Sequence, residues 1–199
     1  MVQIGEYNEL KIDRFTSVGA FLTDDEGFEV LLPNKYLEDN MELEQTLKVF
    51  LYNDSEDRPV ATTETPYVTL NNFAFLRVKE TTDFGAFMDW GLEKDLLIPF
   101  KEQTAKMKED GVYLIYLSFD EQTKRLVGSA KINQFLSKEI EDLEIGDKVD
   151  LFIGDVTDLG RKVIVNNKYN GLIFRDRLIK PLRDGERIEG YVENIREDA

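Results

Sequence analysis

The sequence predicts an all-β chain built from three tandem units of five short strands, and three observations lead to this prediction. One layout of glycine, apolar and proline residues occurs three times. Short runs of alternating apolar and polar residues lie between turns rich in Gly, Asn, Asp and Pro, which is typical of strands and tight connections. Only one stretch, between the second and third copies, has the spacing of an amphipathic helix.

The repeated layout is clearest in the second copy. There Gly85 begins a Gly-Ala-Phe run, and Pro99 follows fourteen positions later. The first copy has the same residues sixty-six positions earlier, from Gly19 to Pro33. The third copy, seventy-five positions after the second, keeps the glycine as Gly160 and the apolar positions that follow it. This constant register predicts three copies of one supersecondary unit.

The units are expected at 1–66, 67–131 and 147–199. Alternation predicts strands of the first unit at 6–14, 19–23, 29–32, 47–51 and 58–63, and of the second at 73–80, 84–89, 95–98, 112–119 and 125–129. The third unit should have strands at 148–156, 161–166, 169–174 and 186–195. A polar connector follows the third strand of each unit. In the second unit, 101–108 has helix-forming composition and predicts a short helix or turn.

Between the second and third units, Ile132, Phe135, Leu136, Ile140 and Leu143 recur at helical spacing with charged residues between them. This predicts a linker helix within 132–146 that packs one face on a neighbouring unit, or that binds a partner instead.

The third unit is expected to lack its last strand. Ala199 stands opposite Lys124 by the seventy-five-residue offset, just before the fifth strand of the second unit. We therefore expect either that the chain is a fragment of a longer protein or that another segment fills the gap, because an uncovered strand edge invites unwanted pairing.

Composition excludes several kinds of chemistry. The chain has no cysteine and no histidine, which removes disulfides, thiolate catalysis, serine triads and the commonest zinc ligands. No phosphate-binding glycine loop, catalytic signature or metal-binding motif occurs. We therefore expect a non-enzymatic protein with no cofactor and no metal site. Without a leader or a long apolar run, the sequence favours a cytoplasmic location.

The net charge of −15 argues against a nucleic-acid partner, because neutralising phosphates supplies much of that affinity. The charge is unevenly distributed, however. Residues 1–66 carry 5 basic and 15 acidic residues, a net −10, whereas residues 147–199 carry 10 and 11, a net −1. The acidic first unit is expected to serve solubility, structure or contact with a protein partner.

Five strands with a connector after the third suit a small Greek-key barrel of the OB type, which binds ligands largely through its second and third strands. Period-2 alternation places Ala86 and Met88 inside the second barrel and Phe87 outside, with Phe21 at the same register in the first. An exposed phenylalanine could stack on a nucleic-acid base. The alternative is that Phe21 and Phe87 cover seams between units.

The run DFGAFMDWG followed by DLLIP, within 83–99, resembles the RNA-binding domain of ribosomal protein S1. The continuation WGLEKD at 90–95 is similar to the conserved virulence factor B family in particular. Proteins of that family carry tandem S1-type domains followed by a winged-helix domain. The resemblance implies OB-fold, S1-like barrels and RNA binding linked to virulence gene expression, with the winged helix missing from this chain.

The resemblance also implies site residues in the second unit. Phe84 and Phe87 match the two stacking aromatics, and Asp120 and Arg125 match polar contacts of a loop and the fifth strand. The family pattern has glycine and histidine where Leu96 and Pro99 stand, so the contact at Pro99 departs from it.

The third unit has a different surface, in which basic and aromatic residues alternate on its second and third strands and the following connector. Such a combination is typical of a groove for single strands. The candidate contacts are Lys162, Lys168, Tyr169, Phe174 and Arg175.

Three functions follow from these patterns. The first is a non-catalytic RNA-binding regulator that holds single-stranded RNA, or DNA, on the second and third units. The second is a protein-interaction scaffold whose barrel faces meet one another, with nucleic acid bound, if at all, by a missing carboxy-terminal domain. The third is a DNA-binding regulator that acts through the missing winged helix. An exposed Phe87 favours the first function, and a Phe87 buried in a seam favours the second.

Overall fold

The computed structural model describes residues 2–196, and the predicted all-β class is confirmed. The first unit is a closed barrel of β1 (Tyr7–Phe15), β2 (Gly19–Thr23), β3 (Glu29–Pro33), β4 (Thr46–Asn53) and β5 (Pro59–Thr62), in the order β1-β2-β3-β5-β4. β4 also pairs with β1, which closes the ring. Alternation explains the core, because Leu10 and Ile12 point inward and are buried while Lys11 between them is exposed.

The second unit repeats this order as a curled five-stranded sheet. Its strands are β6 (Phe73–Thr82), β7 (Gly85–Asp89), β8 (Leu96–Pro99), β9 (Val112–Asp120) and β10 (Arg125–Ser129), in the order β10-β9-β6-β7-β8. Side chains of Ile98 and Leu96 on β8 lie against Gly128 on β10, so the sheet's two edges pack together without a hydrogen-bonded ladder.

The third unit is a four-stranded sheet in the order β13-β12-β11-β14. It contains β11 (Lys148–Val156), β12 (Gly160–Val165), β13 (Tyr169–Phe174) and β14 (Arg187–Tyr191). Within residues 2–196, no fifth strand joins this sheet. The predicted strand over 186–195 is shorter than expected and ends at Tyr191.

The glycine that marks each repeat is required by close backbone contact. Gly85 begins β7 with φ +148°, and a Cβ atom there would lie 2.3 Å from the carbonyl oxygen of Ile98. The equivalent Gly19 and Gly160 have φ +152° and +155°, and their added Cβ atoms would be 2.1 and 2.0 Å from a carbonyl oxygen of the next strand. Only a residue without a side chain allows the second and third strands to pair from their first residue.

Helix is limited to four short 3-10 turns in the described part of the chain. Three of them follow the third strand of each unit, at Asn34–Tyr36, Phe100–Glu102 and Arg175–Arg177, where the sequence predicted a connector. No helix spans the polar residues that complete these connectors.

The predicted linker helix over 132–146 is wrong in extent. Only Ile132–Phe135 is helical, as a 3-10 turn, and Leu136 already has an extended backbone with φ −103° and ψ 137°. The backbone N–H of Ser137 donates to the carbonyl oxygen of Lys168 at 2.8 Å. Pairing of this segment with the third sheet therefore competes with continuation of the helix, and tertiary contact overrides the local periodicity.

The first and second units meet in what we call the first seam. Trp90 is 2% exposed and packs edge-on against Phe50 and Tyr52 of the first barrel, at centroid distances of 5.9 and 6.3 Å. Lys94 donates from its Nζ to the carbonyl oxygen of Asp54 at 2.5 Å. Arg125 pairs with Asp57 at 2.6 Å. The two units consequently share one apolar cluster with a polar rim.

The second and third units meet in the second seam. Phe152 of β11 is 2% exposed and stacks on Phe75 of β6 at 6.1 Å with an interplanar angle of 13°. The guanidinium of Arg187 lies 5.2 Å from the centroid of the Phe152 ring and donates to Asn167. Leu136, which follows the 3-10 turn, is buried in the same cluster. The linker therefore forms part of this seam.

Candidate nucleic-acid interface

The turn before β7 and the outer face of β7 carry the two aromatic residues that the family resemblance implies. Phe84 lies in the turn between β6 and β7 and is 76% exposed. Phe87 is partly exposed on β7, paired with Glu80 and Leu97 of the neighbouring strands. Neither ring belongs to a hydrophobic cluster or to a seam among residues 2–196. Because a base needs a free ring face, these two residues satisfy the first requirement of a stacking platform.

Phe21 occupies the same register on β2 but its ring is covered. The guanidinium of Arg14 lies 4.2 Å from the ring centroid. Arg14 is itself held by Glu29 at 2.5 Å and Asp13 at 2.9 Å, and these carboxylates raise the pKa of the guanidinium. A cation fixed over the ring occupies the face that a base would use. The first unit therefore resembles the second in fold, but its partly exposed Phe21 ring has a cation over it.

Asp120 and Arg125 face each other across β9 and β10, and both have structural partners. The Asp120 carboxylate accepts the backbone N–H groups of Gln122 at 2.8 Å and Thr123 at 3.2 Å. These bonds lower the pKa of Asp120 and stabilise the turn between the two strands. Arg125 is paired with Asp57 in the first seam. Both side chains therefore have structural partners, and their contacts with RNA, implied by the resemblance, stay a prediction.

Lys162 stands on the outer face of β12 at the position that Phe87 occupies on β7. Its side chain is exposed, and within residues 2–196 it forms no ion pair. Phe174, at the end of β13, is 38% exposed, and the Arg196 guanidinium lies 5.9 Å from its ring centroid. Arg175 follows in the 3-10 turn and is exposed. Charge and a partly open aromatic ring are therefore brought to the end of β13.

Lys168 and Tyr169 both contact the linker residue Asp142. Tyr169 is 2% exposed, and its hydroxyl donates to the carboxylate of Asp142 in the linker. Lys168 donates to the same carboxylate at 3.0 Å, and the Tyr169 and Asp142 contacts raise the pKa of Lys168. In return, the Tyr169 hydroxyl and the Lys168 ammonium lower the pKa of Asp142. The burial of Tyr169 leaves no ring face for a base and instead anchors the linker.

Arg161 precedes Lys162 in the basic and aromatic run on β12, but the structure buries it. Arg161 is 7% exposed and points into the third unit, as Ala86 does in the second. The signal was present in the sequence, because Arg161 alternates with outward Lys162 and inward Val163 on one strand.

The motif at 90–95, which carries the family resemblance, contributes residues to the first seam. Trp90 donates from its Nε1 to the carbonyl oxygen of Lys94 at 2.6 Å, and both residues belong to the first seam. Its role in this structure is to join two units.

Two features bear on other kinds of site. Among residues 2–196, no group of three or more acidic side chains is arranged to hold a metal ion. No helix in that range is long and apolar enough to cross a membrane.

The chain is similar in sequence to a curated relative and in fold to a solved structure. A curated relative, "Uncharacterized protein YitL" of Bacillus subtilis (strain 168), is 28% identical over 207 residues, which covers 98% of this chain and 67% of the relative. A crystal structure of a multidomain protein with nucleic acid binding domains from Streptococcus pneumoniae is 19% identical with a TM-score of 0.55, and the match covers 98% of this chain and 70% of that protein. Such a likeness shows that the overall fold is shared. The S1 domain family model matches residues 4–64, which lie in the first unit.

Proposed function

We propose that this protein binds nucleic acid without catalysis, and that it holds single-stranded RNA on the outer faces of the second and third units. The observation that carries the proposal is the pair of unclustered aromatic rings at Phe84 and Phe87. The S1 domain match of the first unit supports nucleic-acid binding as the class of function. Within this proposal the protein acts as a post-transcriptional regulator, and the resemblance to virulence factor B proteins favours virulence genes as its targets.

Charge distribution supports this choice of faces. The net −10 of residues 1–66 repels phosphates from the first unit, where Arg14 also covers Phe21. Residues 147–199 have a net charge of −1, and Lys162 is exposed there without an ion pair among the described residues. Single-stranded RNA would therefore be directed away from the first barrel and toward the other two units.

The position of Phe87 argues against a pure protein scaffold. That alternative requires Phe87 to be covered by a neighbouring unit. In the described chain both seams are built from other residues, chiefly Phe50 with Trp90 and Phe75 with Phe152. The acidic surface of the first unit remains available to a protein partner in either case.

Replacing Phe87 with alanine is expected to weaken binding of single-stranded RNA by about 5- to 150-fold, because one base–aromatic stack contributes about 1–3 kcal/mol. Fluorescence anisotropy with labelled RNA and DNA oligonucleotides at two salt concentrations measures the effect. The matched control is Phe21→Ala, at the same register of the first unit. It should leave affinity within about twofold, since Arg14 already covers that ring.

Lys162→Glu, on the third unit, should weaken binding most at low salt and reduce the dependence of affinity on salt, because a phosphate contact is lost. Equal losses for Phe87→Ala and Phe21→Ala would contradict the assigned face. No RNA binding by the intact chain, even at low salt, would refute the proposed function for these three units. Tighter binding of DNA than of RNA would replace RNA as the preferred ligand.

A further inference from the structure

The third unit contains a cavity of about 430 Å³ at the end of its sheet, between β12 and the connector after β13. Three cationic residues line it: Arg161, Arg175 and Lys180. The rest of the wall is mostly apolar and includes Leu178 and Pro181, and within residues 2–196 no carboxylate lines it. The volume falls within the range of about 300–1,000 Å³ typical of small-ligand sites.

The second unit has an equivalent cavity of about 280 Å³, and eight of its nine lining residues correspond to lining residues of the third-unit cavity by the seventy-five-residue offset. Ala86 stands there in place of Arg161. Gln103 closes that site from within, because its amide donates to the carbonyl oxygen of Ile98 at 2.9 Å and accepts the N–H of Met107 at 3.1 Å. The polar side chain of Gln103 is therefore hydrogen-bonded within the second unit. The third-unit cavity instead contains a buried cation, Arg161.

That cation has unused hydrogen-bonding capacity. The side chain of Arg161 is 8% exposed, and its Nη2 donates to Asp184 at 2.7 Å. Its buried Nε has no hydrogen-bond partner. A guanidinium carries five N–H donors, and a buried donor without an acceptor is costly. One carboxylate on the far side thus holds the group in place while leaving donors for a second anion.

The exposed surroundings suit a ligand with an apolar part. Val156 is 68% exposed and Ile179 is fully exposed, and both line the cavity with Leu178. A planar guanidinium recognises phosphate through two parallel hydrogen bonds, and Arg175 and Lys180 add charge at the rim. Phosphate together with a flat apolar group is the chemistry of a nucleotide.

We propose that this cavity binds the phosphomonoester of a nucleotide, with the phosphate on Arg161, Arg175 and Lys180 and the base against Val156, Leu178 and Ile179. The nucleotide is either a free mononucleotide or the 5′-phosphorylated end of a strand. Only the second source rests on the proposed function. Arg161 and Lys162 are adjacent on β12 and point to opposite sides of the sheet, so the buried cation of the cavity is separate from the outer face. Arg175 lines the cavity and also belongs to the candidate interface at the end of β13.

Isothermal titration calorimetry with adenosine 5′-monophosphate tests the proposal, with adenosine and inorganic phosphate as partial ligands. The intact chain should bind the monophosphate at least tenfold more tightly than adenosine. Arg161→Met keeps an apolar stem of similar length and removes the donors, and it should weaken monophosphate binding about tenfold or more, since hydrogen bonds to charged groups are strong. Lys138→Gln, at an exposed lysine that does not line the cavity, is the matched control and should change monophosphate binding less than twofold.

If Arg161→Met does not fold, as judged by its thermal unfolding, the exposed variants Arg175→Gln and Lys180→Gln decide the question by the same measurement. No saturable binding of the monophosphate at millimolar concentration overturns the proposal. So does binding that none of the three cavity substitutions weakens.

A pair of RNA oligonucleotides with and without a 5′-phosphate separates the two sources. Tighter binding of the phosphorylated strand, lost in Arg161→Met, identifies a strand end. Equal binding of both strands, with intact monophosphate binding, identifies a free nucleotide. Because Phe87→Ala affects only the outer face, loss of strand binding in that variant with unchanged monophosphate binding keeps the two proposals distinguishable.

Discussion

Replacing Trp90 with alanine is expected to lower the free energy of unfolding by about 3–5 kcal/mol, the usual cost of removing a buried aromatic side chain. The indole is 2% exposed and lies between Phe50 and Tyr52, so its loss leaves a cavity that two units share. The hydrogen bond from its Nε1 to the carbonyl oxygen of Lys94 is lost as well. We expect the first and second units to separate into two unfolding transitions, because the apolar cluster that joins them depends on this ring.

Urea denaturation followed by circular dichroism and by tyrosine fluorescence measures this effect. Phe84→Ala is the control, because that aromatic side chain is 76% exposed and should change the free energy of unfolding by less than about 0.5 kcal/mol. A single unfolding transition for Trp90→Ala with a midpoint close to that of the unaltered protein would show that the first seam contributes little to stability.

Gly85→Ala is expected to cost about 3 kcal/mol or more, because it combines backbone strain with a steric clash. At φ +148° a side chain is unfavourable, and the new Cβ atom would lie 2.3 Å from the carbonyl oxygen of Ile98 and 2.9 Å from the Cα of Pro99. These are backbone atoms of β8, so relief requires the start of the β7–β8 ladder to open. The same urea titration measures the loss of stability.

The control for that substitution is Gly27→Ala. Gly27 has φ +89°, but a Cβ atom added there meets nothing within 4 Å. This variant therefore isolates the conformational cost, which is about 1–2 kcal/mol. Equal destabilisation by the two substitutions would mean that close strand contact is not the reason for the repeated glycine.

Much of the fold follows from periodicity in the sequence. Alternation along β7 places Ala86 and Met88 inside and Phe87 outside, and the structure has this arrangement. The constant offsets also indicate that the third sheet has four strands within the described residues. These features depend on local geometry, which a period-2 pattern encodes directly.

The seams could not be predicted in the same way. Periodicity predicts the face of the strand on which Phe50 and Phe152 lie. It does not predict which ring of another unit packs against each of them. The linker shows the opposite failure, because a helical pattern was present and pairing of Ser137 with the third sheet overrode it. Contacts between units are set by the assembled surface, and a single strand's pattern contains no information about its partner.

The candidate site was predictable in part for the same reason. The outward position of Phe87 could be predicted because exposure on a strand follows from alternation, whereas Phe84 was assigned from the family resemblance and lies in a turn. Tyr169 could not be excluded, because its burial depends on Asp142 in the linker. The different availability of Phe21 and Phe87 also depends on a third residue, Arg14, whose position over the ring follows from pairing between β1 and β2.

The two seams have a consequence for affinity. Phe152 stacked on Phe75 joins the second and third units through strand side chains, and this contact restrains the separation of the outer faces of β7 and β12. A strand long enough to reach both faces would meet the second at an effective concentration determined by this restrained spacing rather than by a flexible tether. Affinity should therefore rise abruptly at one oligonucleotide length, and a substitution within the second seam should remove that increase without touching either face.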